Sequence, residues 1–123
     1  MFRKVLVGND GSEGAKKALQ VAINLAKRYD AELHEIYFEA HLPHYAATIG
    51  EVVEANQEAH GVRLISHVLP GHEVKTIVQF VKDRSFDLLV IEFMGHSRVF
   101  DHIRGGTSQN LTSLAPCSVL VVK

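Results

Sequence analysis

Short apolar runs and longer stripes of helical period alternate along the chain. Val5-Leu6-Val7, inside Lys4–Gly8, is a run of three apolar residues, two of them β-branched. Such a run predicts a central parallel strand covered on both faces. It leads into the turn cluster Asn9-Asp10-Gly11-Ser12. From Glu13 to Tyr29, Ala15, Ala18, Leu19, Ala22, Leu25, Ala26 and Tyr29 recur at helical spacing, with Lys16, Lys17, Gln20, Lys27 and Arg28 on the other face. Ser12 suits the N-cap and Glu13 the first turn. A second strand is expected from Glu32 to Phe38. Its apolar members are Leu33, Ile36 and Phe38; His34 and Glu35 make it more polar and predict partial exposure.

After an irregular stretch from Glu39 to Tyr45, a short helix is expected from Thr48 to His60, stopped by Gly61. A third strand, Val62 to Val68, ends at Leu69-Pro70-Gly71. Val74, Ile77, Val78 and Val81 mark one face of a helix from Glu73 to Arg84. Phe86 to Ile91 reads as another apolar strand, Thr107 to Leu114 as a short helix ended by Pro116, and Cys117 to Val122 as the last strand. Five alternations of strand and helix predict an open parallel sheet with helices on both faces.

In such sheets ligands bind beyond the carboxyl ends of the strands, at the point where strand order reverses. Two polar, glycine-bearing segments follow the first and fourth strands: Asn9–Ser12 after the first, and Glu92–Ser108 after the fourth. If those two strands are neighbours, the segments face one crevice. The second is long for a connection in a compact domain, and such loops usually carry function or are disordered. Gly95 and the pair Gly105-Gly106 stand at its ends. A glycine pair opening a helix presents free N–H groups and the positive end of the dipole, which suits a phosphate. Glycines that only shape tight turns explain the pattern equally well.

Composition narrows the picture. The 123 residues, 46% hydrophobic, suit one domain spanning 1–123. A net charge of −1 gives no electrostatic reason to expect nucleic acid or an anionic membrane as partner. No apolar run approaches a membrane span, and Met1-Phe2-Arg3-Lys4 runs straight into a strand, so no signal peptide is expected. The single cysteine, Cys117, fits a reducing cytoplasm and inert packing.

Several chemistries are set aside. Gly8, Gly11 and Gly14 do not make the dinucleotide fingerprint, and no Gly-Lys-Ser/Thr follows. Gly95-His96-Ser97 lacks the closing glycine of a nucleophile elbow, since Val99 stands there. The eight histidines are scattered, so no metal site is expected. Arg98, His102 and Arg104 are ordinary loop charges or partial counter-charges for a phosphate, and Asp10 could simply cap the first helix. No positioned general base is visible, and no Mg²⁺ carboxylate set beyond Asp10 and Glu92, so catalytic residues are not expected.

The chain resembles the universal stress proteins. Asp10-Gly11-Ser12 follows the first strand as in that family, and Ala115-Pro116-Cys117-Ser118-Val119-Leu120-Val121-Val122 matches its carboxyl-terminal motif. ATP-binding members carry Gly-x-x-Gly, nine residues, then Gly-Ser/Thr. Here Glu92 takes the first glycine position, Gly95 the second, His96 to Arg104 the nine residues, and Gly105 the next glycine; Gly106 stands at the Ser/Thr position, with Thr107 after it. The resemblance implies strand order 3-2-1-4-5, with two helices on each face. It implies a nucleotide site with Asp10 beside the nucleoside, the Phe38 backbone near adenine, and Gly95, Gly105, Gly106 and Thr107 around the phosphates. ATP, with Mg²⁺, is the implied ligand.

Two departures stand out. Glu92 adds a carboxylate near the expected phosphates, and Gly106 removes a hydroxyl that Thr107 or Ser108 could supply. The segment between the second and third strands also looks shorter than is usual. The family holds ATP binders and members that bind none, so two readings follow: a nucleotide-binding regulatory protein of the stress response, and a ligand-free dimeric interaction protein. A slow phosphoryl-transfer enzyme ranks behind both. The strand Cys117–Val122 is expected at the sheet edge, with only Lys123 after it. Paired with its copy it would build a homodimer, as in many relatives.

Overall fold

The computed structural model describes residues 1–9, 13–38, 62–70, 73–93 and 107–123, apart from the side chains of Glu13, Glu73, Thr107 and Ser108. Within them run the strands β1 (Lys4–Gly8), β2 (Glu32–Phe38), β3 (Leu64–Leu69), β4 (Leu88–Glu92) and β5 (Ser118–Val122), and the helices α1 (Glu13–Tyr29), α2 (Glu73–Arg84) and α3 (Thr107–Leu114). The strands form one parallel sheet in the order β3-β2-β1-β4-β5. This is the order the resemblance implied, with β1 and β4 adjacent. The helix expected from Thr48 to His60 lies outside the described residues.

Side chains of a strand alternate between the faces of the sheet. On one face Val5, Val7, Leu33, Leu64, Leu88 and Val90 meet the alanine-rich stripe Ala18, Ala22 and Ala26 of α1, with Leu19 and Ile23. On the other, Leu6, Ile36, Phe38, Leu89 and Ile91 meet Ile77, Phe80 and Val81 of α2 and Leu111 of α3. Both α1 and α2 stop without glycine. Asp30 and Ser85 adopt the left-handed conformation, at φ 54° and 56°. The amides of Ala31 and Phe86 then donate back to the carbonyls of Ala26 and Val81 at 2.8 and 3.1 Å. This is the six-to-one bond of the Schellman motif.

Strand limits differ from the sequence expectation where the ladder decides them. β3 begins at Leu64, not Val62, because pairing with β2 starts at Leu33 opposite Leu64. β4 begins at Leu88, not Phe86, because Asp87 serves another purpose: its carboxylate accepts the amides of Arg3 and Lys4, at 2.8 and 3.0 Å. β4 also runs one residue further, to Glu92 opposite Val122, and β5 starts at Ser118 rather than Cys117.

The expected partial exposure of β2 is wrong. His34 and Glu35 are buried along with their apolar neighbours. The reason is pairing. His34 Nδ1 and His67 Nε2 are 2.7 Å apart with the rings stacked, and His34 Nε2 lies 2.5 Å from Glu32 Oε1. Two neutral imidazoles, each with its proton on Nε2, satisfy both contacts. Phe86 meets the His34 ring and Phe80 the His67 ring edge-on.

Burial holds the His67 pKa below its ordinary value, with the positive charges of His34 when protonated, Arg84 and Lys4 adding to the effect. The unfolded chain therefore binds this proton at a higher pH than the fold does. This contribution to stability is intact above the unfolded pKa, near 6.5, and is lost as pH falls from there toward the folded value. Urea midpoints of the wild type should accordingly fall more steeply from pH 7.5 to 5.5 than those of His67→Gln, which keeps a donor for His34. Parallel curves would contradict this reading.

Candidate functional site

The carboxyl edge of the sheet brings β1, β2 and β4 together. Gly8 ends β1 opposite Ile36, and the Asn9 amide donates to the Ile36 carbonyl at 3.1 Å. Val7 pairs with Val90 on the other side, so Asn9 and Glu92 leave the sheet side by side. Phe38 closes β2 one step from Tyr37, its side chain in the core under α2.

Beneath this edge lies a polar cluster. Asn9 is buried, and its Nδ2 donates to the Tyr37 hydroxyl at 3.4 Å. Glu35 is fully buried; the Ser66 hydroxyl donates to its Oε1 at 2.8 Å, while Oε2 has no hydrogen-bond partner among the described residues. Burial pushes the Glu35 carboxyl upward from its ordinary pKa, and the polar side chains of Tyr37, Ser66 and Asn9 pull the other way. The cluster braces Asn9, the residue from which the first crevice segment departs.

Glu92 is not the first residue of a loop. It is the last of β4, on the same face as Leu88 and Val90, and that face carries α1. Its side chain therefore reaches the first turn of α1 and fills the space beside Gly14. A Cβ added at residue 14 would overlap Glu92 Oε2 and lie 2.9 Å from its Cδ. Glycine costs about 0.5–1 kcal/mol relative to alanine inside a helix, so its presence needs a reason. The room it leaves for a carboxylate is that reason.

Of the residues expected to form the site, Phe38 lies at the crevice edge, and Thr107 is the first residue of α3, its side chain outside the description. Asp10, Gly95, Gly105 and Gly106 lie outside the described residues. The sequence reading missed the direction of Glu92, its complement Gly14 and the polar cluster under Asn9. Period two along β4 carries the first of these: with Leu88 and Val90 facing α1, so must Glu92. Among the described residues no group of three His, Cys, Asp or Glu side chains is placed to hold a metal ion.

The family model for the universal stress proteins matches residues 1–123. The chain belongs to the universal stress protein family. A universal stress protein of Methanocaldococcus jannaschii is 29% identical over 141 residues, covering all of this chain and 83% of that one. One from Bacillus subtilis is 28% identical over 148 residues, covering both chains in full. Both alignments exceed the 123 residues present here, so these relatives carry residues that this universal stress protein lacks.

Among solved structures, a universal stress protein from Lactobacillus plantarum superposes with a TM-score of 0.87 at 22% identity, covering 99% of this chain and 98% of that one. A universal stress protein in complex with cAMP gives 0.80 at 23%, covering 99% and 97%. One from Archaeoglobus fulgidus in complex with dAMP gives 0.74 at 16%, covering 100% and 98%. At these identities the likeness establishes the fold. No helix among the described residues is long and apolar enough to cross a membrane.

Proposed function

We propose that this universal stress protein is a cytoplasmic, dimeric regulatory protein that takes an adenine nucleotide in the crevice between β1 and β4. The observation that carries this reading is the adjacency of those strands. It sets Asn9 and Glu92 side by side at the switch point, where an open α/β sheet receives its ligands. Asp10 would stand beside the nucleoside, the Phe38 backbone at the base, and Gly95, Gly105, Gly106 and Thr107 around phosphate. The cAMP and dAMP complexes of two structural neighbours support an adenine ligand. Mg²⁺ would accompany a polyphosphate, with Asp10 and Glu92 as the carboxylates that could hold it.

The activity in this reading is binding, with the ligand altering a dimer surface built on β5. The half-buried thiol of Cys117, whose pKa burial raises, behaves as packing and suits a reducing compartment. One observation favours the second reading, a ligand-free dimeric interaction protein: the crevice already holds the Glu92 carboxylate. Analysis of small molecules released from freshly purified, acid-denatured protein separates the two. An adenine nucleotide in the extract supports the first; an extract without one supports the second.

A further inference from the structure

At the edge of the sheet opposite β5, β3 pairs with β2 on one side only, and Leu64 is the buried residue of its pattern. Side chains tie it to β2 on both faces. On one face the Ser66 hydroxyl donates to Glu35. On the other, His67 Nε2 meets His34 Nδ1 at 2.7 Å, with the two rings stacked. Phe80 of α2 stands edge-on to His67, and Phe86 edge-on to His34. Lys4 lies over the Phe86 ring and Arg84 over the Phe80 ring, 4.8 and 5.1 Å from the ring centres. Among the described residues, the charged groups around the pair are Lys4 of β1, Glu32 of β2, Arg63 just before β3 and Arg84 of α2. Glu32 is the anion of this set, and it is in contact with His34.

We propose that the His34–His67 pair is an acid-released latch: it ties β3 to the sheet while the two rings share at most one added proton, and lets the edge strand go when both are charged. The facing nitrogens decide this. A first proton fits. With the His67 hydrogen moved to Nδ1, a charged His34 donates from Nε2 to Glu32 and from Nδ1 to His67 Nε2. A second proton does not fit, because both facing nitrogens then carry hydrogens and two cations are stacked. No carboxylate of the set touches His67, while burial and the positive charges of His34, Arg84 and Lys4 oppose its protonation. Opening meets the second charge more cheaply than the closed pair does. His67 is half-buried on an edge strand whereas His34 is buried between two strands, so His67 is the ring that leaves. Its departure frees the outer backbone of β2, an unpaired edge that another strand can use.

Amide hydrogen exchange at pH 7.5 and 5.0, corrected for the intrinsic rate and followed by NMR, is the test. In the wild type the protection of the β3 amides that pair with β2 should fall about tenfold or more, while β1 and β4 keep theirs. In His67→Gln the fall should be less than about twofold, because a glutamine amide can turn either its donor or its acceptor to His34. An unchanged β3 in the wild type, an equal loss in every strand, or the same β3 loss in His67→Gln would overturn the latch. Should His67→Gln not fold, the ring-nitrogen shifts of the wild type take its place. β3 must then open over the pH range in which His67 gains its second ring proton, and opening outside that range would overturn the latch as well.

Discussion

Val121→Pro is expected to elute as a monomer where the wild type elutes as a dimer. β5 is the outermost strand of the sheet beyond β4, and its residues are more exposed than those of the central strands, with Leu120 37% accessible. The chain direction fixes which amides are spare. The Phe93 amide donates to the Val122 carbonyl at 2.8 Å, so the polar backbone groups of Val122 face β4. Successive residues of a strand turn these groups to opposite sides, so those of Val121 and Val119 face outward. Proline at 121 removes an outward donor and spares the bonds to β4, the one arrangement in which a strand tolerates proline. The variant should remain folded and lose only the edge that a second copy would use. Light scattering on both proteins, with circular dichroism to check the fold, decides the matter. A monomeric wild type, or a variant that stays fully dimeric, would show that β5 is not the interface.

Leu6→Ala should cost about 2–5 kcal/mol, the usual range for a buried leucine cut to alanine. Leu6 is fully buried at the middle of the central strand, opposite His34 on one side and Leu89 on the other, in the core shared with α2 and α3. Neighbouring strands hold the sheet in place, so the site cannot collapse to fill the void. Against a typical total of roughly 5–15 kcal/mol the loss is large, and the thermal midpoint should drop by about 10 °C or more. A drop of only 1–2 °C would mean that the core relaxes freely. The weakened protein is also a sensitive ligand detector. A ligand at 100 times its Kd restores about 2.7 kcal/mol.

How far the sequence could be read depended on where the information lies. The apolar runs of β1 and β4 and the alanine stripe of α1 are periodic, and they locate these elements to within a residue or two. The ends of α1 and α2 were legible because their stripes stop, although the residues that close them, Asp30 and Ser85, are not the glycines such ends favour. The limits of β3, β4 and β5 were less legible, since a strand ends where its partner does. The polar residues of β2 misled. His34 and Glu35 read as solvent-facing until their partners His67 and Ser66 are seen, some 30 residues away in sequence. For the site, the expected spacing Asp10, Gly95, Gly105, Gly106 rests on the family motif alone, and these residues lie outside the described ones. The role of Glu92 was half legible: its charge is in the sequence, its direction in the sheet.

The central claim is that the crevice between β1 and β4 takes an adenine nucleotide. Calorimetric titration of AMP into nucleotide-free wild-type protein tests it most directly, because AMP carries the base, the ribose and one phosphate. The account predicts saturable binding of one AMP per chain, weakened about tenfold or more in Asp10→Ala, the residue proposed to stand beside the nucleoside. No heat of binding from AMP, at concentrations where the protein stays folded, would contradict it.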